Sequence, residues 1–258
     1  LDLLNHPLPF YANQPPETPM SLTKEIKLNN VSFQYGVETS LALNGINLIL
    51  TKGQSIGFIG STGSGKSTLL DIIMGLITPT EGVIKVDGSV ITTSNVRNWQ
   101  ANIAHVSQDI YLFDSTIAEN IAFGESKSEI DFDLVRESAK NACIAETIES
   151  WSDQYQTVIG ERGVRLSGGQ IQRIGIARAL YRQANVLIFD EATSALDSKT
   201  ENEIINAIRK EFPFITIIMI THRLSSLKLA DNVVLLKNNS MENIDMSNIT
   251  NIKKLEQL

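Results

Sequence analysis

Gly60-Ser61-Thr62-Gly63-Ser64-Gly65-Lys66-Ser67 decides how this chain folds, because it reads as a phosphate-holding loop set between one strand and one helix. Just before it, Ser55–Ile59 is an apolar run of strand length; from Lys66 to Met74 the apolar residues take helical spacing. The pattern G-x-x-x-x-G-K-[ST] has a mechanical meaning in that context. Glycines at 60, 63 and 65 allow backbone angles that side-chain-bearing residues resist, so successive N–H groups can turn onto an anion at the positive end of a helix. Lys66 adds a mobile charge for phosphate oxygens, and the Ser67 hydroxyl is placed to ligate Mg²⁺.

Such a loop also needs a carboxylate at the end of a neighbouring buried strand. Val186-Leu187-Ile188-Phe189 reads as that strand, and Asp190-Glu191 follows it. In an open α/β sheet this is where ligands bind. Asp190 is expected to help hold the metal, and Glu191 to polarise an attacking water as general base.

Outward from this centre the composition is ordinary. The 258 residues are 42% hydrophobic and 20% charged, and 22 basic against 29 acidic residues leave a net charge of −7. With no Lys/Arg cluster, that balance disfavours binding to a nucleic-acid backbone or an anionic lipid surface. The single Cys143 can form neither an intrachain disulfide nor a Cys-rich metal site. A mostly apolar run such as Phe214–Ile220 has a strand's length, far short of the ~20 residues of a membrane helix. The start at Leu1, without a basic region leading into an apolar stretch, reads as a piece of a longer protein rather than a signal peptide. Residues 1–24 hold Pro7, Pro9, Pro15, Pro16 and Pro19 and read as an extended linker.

The folded unit is expected from Glu25. Ile26, Leu28, Val31 and Phe33, then Leu43, Ile46, Leu48 and Leu50, lie in short segments divided by Asn-Asn, Tyr-Gly and Lys-Gly, the mark of an antiparallel sheet. Strands are expected at 82–86 and 103–107, and helices near 116–122, 131–142, 143–150 and 168–183. Phe132, Val135, Ala139 and Ala142 support the second of these helices. Residues 185–236 return to alternation, with strands at 186–189, 215–220 and 233–236 and helices at 198–211 and 223–228. Ser198 and Glu201 read as a capping box for the helix from 198. Alternation of this kind implies a parallel sheet covered on both faces.

Leu166-Ser167-Gly168-Gly169-Gln170 adds a second helix N-terminus fit for an anion. Taken with the octet and the Asp190-Glu191 strand, it makes the sequence resemble the nucleotide-binding domain of ATP-binding cassette (ABC) proteins over about residues 25–240. Further matches are Phe33-Gln34-Tyr35-Gly36, Val106-Ser107-Gln108-Asp109, Ser194-Ala195-Leu196-Asp197 and Ile220-Thr221-His222-Arg223. The resemblance implies an α/β P-loop NTPase with a RecA-like, mostly parallel core sheet, an antiparallel β subdomain and an α-helical signature subdomain at about 109–175. The domain would occupy residues 25–258.

By the same resemblance ATP and Mg²⁺ are the ligands. Tyr35 would stack on adenine, residues 60–68 including Thr68 would bind the phosphates, and Ser67, Gln108 and Asp190 would serve the metal. Glu191, His222, Gln108 and Lys66 would form the catalytic set. Ser167, Gly168, Gly169 and Gln170 would address the ATP of a second copy docked head to tail, with Asp197 at the contact between copies. Ser107 stands where the family commonly has proline, a change that would loosen the hinge but leave the amide. His105 and His6 read as ordinary structural or surface residues.

Phe113-Asp114-Ser115-Thr116-Ile117-Ala118-Glu119-Asn120-Ile121-Ala122-Phe123-Gly124 and Gly160-Glu161-Arg162-Gly163 resemble the exporter branch. In it, a transmembrane domain of the same polypeptide meets the ATPase through coupling helices, here through Gln108 and Glu161-Arg162. The linker would then trail from the last membrane helix and the domain would lie at the cytoplasmic face of the inner membrane, the fragment itself being soluble. The cargo class suggested is lipid, polysaccharide or lipid-linked glycan. Two alternatives stand beside this: a soluble clamp on chromosomes or ribosomes, and a non-hydrolytic nucleotide sensor. No long heptad insertion separates Ser67 from Leu166, which counts against a chromosome clamp. Residues 238–243, Asn-Asn-Ser-Met-Glu-Asn, depart from the Gly-rich hairpin usual near the family's end, and asparagine, which tolerates positive φ, still permits a turn there.

Overall fold

The computed structural model describes residues 18–36, 39–160 and 166–244. The chain begins with β1 (Glu25–Phe33), β2 (Leu43–Thr51), β3 (Ser55–Ile59), α1 (Lys66–Ile73), β4 (Glu81–Val86), β5 (Ser89–Val90), α2 (Val96–Gln100) and β6 (Ile103–Val106). A mainly helical stretch follows: β7 (Ser115–Thr116), α3 (Ile117–Ile121), α4 (Phe132–Asn141), α5 (Ala145–Glu149), β8 (Val158–Ile159) and α6 (Gly168–Tyr181). It ends with β9 (Val186–Asp190), α7 (Ser198–Glu211), β10 (Thr216–Ile220), α8 (Leu224–Leu227), β11 (Asn232–Lys237) and β12 (Ser240–Ile244).

The central sheet has the order β12-β11-β3-β10-β9-β6. Its pairs from β11 to β6 are parallel, and only the edge strand β12 runs antiparallel. Strands buried on both faces must be apolar throughout, and β3 and β10 are buried at every position. Alternate side chains serve two cores. Ile188, Ile218 and Ile220 join the core under the antiparallel sheet, whereas Leu187, Phe189, Ile217 and Met219 face α6 and α7. This is the α/β P-loop architecture expected from the octet.

The antiparallel sheet, order β2-β1-β4-β5, covers one of these cores. Asn29-Asn30 does not divide it as the sequence suggested. Both residues lie inside β1, where the register shifts and Asn30 takes φ 48°, so the pair bends one strand instead of ending it. α2 was not expected, since five residues are too few to show a period. It nonetheless carries Trp99, fully buried, whose indole N–H donates to the Ile73 carbonyl at 2.7 Å.

The cap of α7 also differs from expectation. Asp197 is the N-cap, its carboxylate accepting from the N–H groups of Lys199 and Thr200, and Glu201 turns inward instead of back to Ser198. A carboxylate one residue earlier takes the N-cap position, leaving Glu201 for other partners. Of the apolar stripe read for α4, Val135 and Ala139 are buried, with Ala142 at its C-cap, but Phe132 is exposed. Asn238 and Asn239, at φ 50° and 63°, make the β11–β12 turn as expected.

Upstream of β1, Leu22 is 2% exposed and the Met20 N–H donates to the Asn98 carbonyl. Asp87, in the turn between β4 and β5, fixes this entry: its carboxylate accepts from the N–H groups of Thr23, Lys24 and Glu25 and from the Thr23 hydroxyl. Burial pushes its pKa up, but these hydrogen bonds outweigh burial and hold it at about 2 against an ordinary 3.8. A depressed carboxylate stabilises the fold above its unfolded pKa and stops doing so as pH falls through its folded pKa. Asp87→Ala is therefore expected to lower unfolding free energy by about 1–2 kcal/mol at neutral pH. In urea titrations the gap between parent and variant should close as pH falls from 3.8 toward about 2.

Candidate functional site

Register brings the site together. Ile220 of β10 stands opposite Phe58 of β3 on one side and Asp190 of β9 on the other, and Val106 of β6 stands opposite Phe189. These strands therefore end level. Gly60, His222, Glu191 and Gln108 emerge within one or two residues of those ends, on the same edge of the sheet. The Glu191 N–H donates to the Ile220 carbonyl at 3.0 Å, tying the two neighbouring exits directly.

The phosphate loop is a cradle that a Cβ would fill. At Gly60 an added Cβ would lie 2.4 Å from the Leu236 carbonyl oxygen; at Gly65, with φ 99°, it would lie 2.6 Å from that of Ala42. Gly65 is the N-cap of α1 and offers no side-chain cap, so the first N–H groups of that helix remain directed at the loop. The Ser64 hydroxyl is buried without a hydrogen-bond partner, and Ser61, Thr62 and Ser67 are exposed around it. Lys66 is 9% exposed and its Nζ donates to the carbonyls of Gly60 at 2.7 Å and Ser61 at 2.9 Å. An orphan hydroxyl, uncapped N–H groups and a buried ammonium around one loop fit a phosphate chain.

Asp190 faces this loop from β9. Burial pushes its carboxyl above the usual carboxylate range; Glu191 and Asp71 push the same way, and the charges of His105 and Lys66 oppose them. A concentration of acid of this kind favours a cation. The available donors, the Ser67 hydroxyl, the Asp190 carboxylate and the Gln108 amide, present the oxygen atoms that suit a hard divalent ion such as Mg²⁺. His105, which the sequence left as a structural residue, is thus an electrostatic neighbour of Asp190. Burial pushes its imidazole below the usual histidine value, with Asp190 and Asp71 pulling it back up.

Glu191 adopts φ 51°, a left-handed conformation uncommon for a side-chain-bearing residue. Its Oε1 lies 3.4 Å from His222 Nε2, so the two residues paired by the sequence meet in space. Tyr35 is 68% exposed; its hydroxyl is 2.9 Å from that of Thr68, and its ring meets Phe33 edge to face at 4.9 Å. An exposed aromatic face is thereby fixed beside α1.

The signature residues lie elsewhere. Ser167 is the N-cap of α6 and forms a capping box with Gln170: the Gln170 N–H donates to Ser167 Oγ, and the Ser167 N–H donates to Gln170 Oε1 at 2.8 Å. Gln170 thus serves its own helix end. Gly168 and Gly169 pack against Ala195 and Leu196, in the loop that follows Glu191. Gln172, which sequence reading missed, secures this contact. It is buried, its Oε1 accepts from the Ala195 N–H at 2.9 Å, and its Nε2 donates to Ser194 Oγ at 3.1 Å. A glutamine one turn into a helix gives no signal of such a role. Glu161 and Arg162, read as part of a coupling surface, lie outside the described residues.

Comparison with known proteins agrees with this geometry. Residues 43–194 match the family model described as ABC transporter. The chain is 39% identical over 214 residues to an ATP-dependent lipid A-core flippase of Ralstonia nicotianae, covering 83% of this chain and 36% of the relative. It is 43% identical over 217 residues to the heterocyst differentiation ATP-binding protein HepA of Nostoc sp., covering 84% of this chain and 35% of the relative. It therefore spans about a third of the length of these relatives. Among solved structures, a bacterial Atm1-family ABC exporter with ATP bound superposes with a TM-score of 0.83 at 33% identity, over 95% of this chain and 43% of the other. With its phosphate loop, acidic strand end and signature helix each in place, the chain belongs to the ABC transporter family.

Proposed function

We propose that this chain is the ATP-hydrolysing module of an ABC exporter, and that two copies close head to tail around two ATP molecules. The observation that carries the reading is the arrival of the phosphate loop, Asp190-Glu191 and His222 at level ends of adjacent parallel strands. Residues 60–68 hold the phosphates through backbone N–H groups, the Lys66 ammonium and hydroxyls, and Tyr35 presents its ring to the adenine. Ser67, Asp190 and Gln108 would hold Mg²⁺, which would offset negative charge on the phosphate oxygens. Glu191 takes a proton from the water that attacks the γ-phosphorus in line, as the bond to the β-phosphate oxygen breaks and ADP leaves. His222 orients the Glu191 carboxylate.

The second capped helix end supports a shared site. Gly168 and Gly169 pack against Ala195 and Leu196 of their own chain, and Ser167 at the N-cap would address the nucleotide of another copy through this helix end. Asp197, in the same loop, would touch that partner. Among the described residues no helix is long and apolar enough to cross a membrane. Because the chain covers only 36% of the lipid A-core flippase it resembles, export is assigned to a transmembrane domain of the same polypeptide, engaged through Gln108 and Glu161-Arg162, with this domain at the cytoplasmic face. The relative named as a lipid A-core flippase supports a lipid or lipid-linked glycan as cargo.

Glu191→Gln is expected to retain ATP binding while turnover falls by roughly 10²–10⁴-fold, the usual share of a general base. Parent-like turnover would remove Glu191 from that role. Lys66→Ala should weaken ATP affinity by roughly 10- to 100-fold in equilibrium binding, in line with a charge-assisted contact. Light scattering on Glu191→Gln should give twice the monomer mass with Mg·ATP and the monomer mass without it. A species that remains monomeric when saturated with ATP would overturn the shared site.

A further inference from the structure

The Glu191 and His222 loops are both fastened to one buried carboxylate, that of Glu201, for which the sequence suggested only a helix cap. Glu201, on the first turn of α7, is 1% exposed. Its Oε1 accepts from Thr193 Oγ1 at 2.5 Å and from Ser226 Oγ, and its Oε2 accepts from Ser225 Oγ at 3.0 Å. Arg223 Nη1 lies 3.8 Å from Oε2 and also donates to the carbonyls of Thr193 at 2.8 Å and Leu196 at 2.6 Å. Thr193 is two residues beyond Glu191, and Arg223 directly follows His222.

A carboxyl group so deeply buried needs both oxygens bonded by the protein, since an oxygen that loses its donor has no water to replace it. Its donors are therefore held in one arrangement. That arrangement is what the exits of β9 and β10 need. Glu191 stands at φ 51°, a conformation that persists only where the flanking structure over-determines it. Its flanks are fixed by Thr193 on Glu201, by Arg223 on Thr193 and Leu196, and by Gln172 on Ser194 and Ala195.

We propose that Glu201, acting with Arg223, is a positioning residue for hydrolysis: it holds the Glu191 carboxylate and the His222 imidazole in register without touching nucleotide. This rests on the roles given above to Glu191 and His222. Glu201→Gln keeps the shape of the side chain and removes its charge, so the Arg223 contact and one hydroxyl bond are lost and the two loops can shift relative to each other. A displacement of about 1 Å at reacting groups costs on the order of 10²-fold in rate.

The test is steady-state hydrolysis and equilibrium Mg·ATP binding on the same preparations of this chain, with thermal melting as control. Glu201→Gln is expected to lower kcat by roughly 10- to 100-fold while the ATP dissociation constant stays within about twofold, because the phosphate loop lies outside this network. Thr193→Val removes one spoke only and should give a smaller kcat loss with unchanged binding; it decides the matter if Glu201→Gln does not fold. Added to Glu191→Gln, Glu201→Gln should change residual turnover by less than about twofold, since it acts through the absent base. A parent-like kcat in Glu201→Gln, or equal losses of kcat and ATP affinity in both single variants, overturns the inference. Glu191→Gln measured alongside separates the two readings. If it turns over at the parent rate, the base assignment fails; if it is inactive while Glu201→Gln is parent-like, only the positioning role fails.

Discussion

The register of three neighbouring parallel strands is the constraint on which the site rests. A sheet covered on both faces excludes polar chemistry from its interior, so charged groups can appear only beyond the strand ends. Because Ile220 faces both Phe58 and Asp190, the exits of β3, β10 and β9 lie side by side. A slip of one residue in any of these strands would carry its side chains to the opposite face and its functional group out of line. The apolar runs 55–59, 186–189 and 216–220 thus do more than fill two cores; they set the spacing of a phosphate loop, two acids and a histidine.

Electrostatic imbalance at that edge is the second theme. Asp190, Glu191 and Asp71 stand close enough for burial and mutual repulsion to push Asp190 up, against Lys66 and His105. Such a cluster is electrostatically unfavourable alone, and a cation placed among these carboxylates would lower Asp190 again. Glu201, more deeply buried, is resolved differently, with hydroxyl donors and an arginine supplied by the fold itself. One acid is left among other charges at the sheet edge, and the other is bonded on both oxygens by the fold.

Much of this was legible in the sequence because local rules and global fold agree. The octet lies between strand and helix, β3 spans the residues expected, and Ser167 caps a helix that starts at Gly168. The misses share a physical origin: partners far apart in sequence. Glu201 looked like half of a capping box because Ser198 is three residues away, yet its real partners are Thr193, Ser225 and Ser226. Gln172 looks like an ordinary helical glutamine until α6 is laid beside the 194–196 loop. Asn29-Asn30 reads as a break because asparagine favours turns, and only pairing on both sides, with β2 and β4, carries one strand through it. The candidate site residues stand out by local spacing; the residues bonded to their loops do not.

The anchoring of residues 18–25 gives the domain a mechanical character. The incoming chain is fastened to α2 through Met20 and Asn98, α2 is bolted by the Trp99 indole to the last turn of α1, and the first residue of α1 is Lys66. Two short rods thus join the point where the chain enters to the loop that grips phosphate. A shift of the entering chain at Met20 would have to be taken up by α2 and by the last turn of α1, the helix whose other end opens the 60–67 loop.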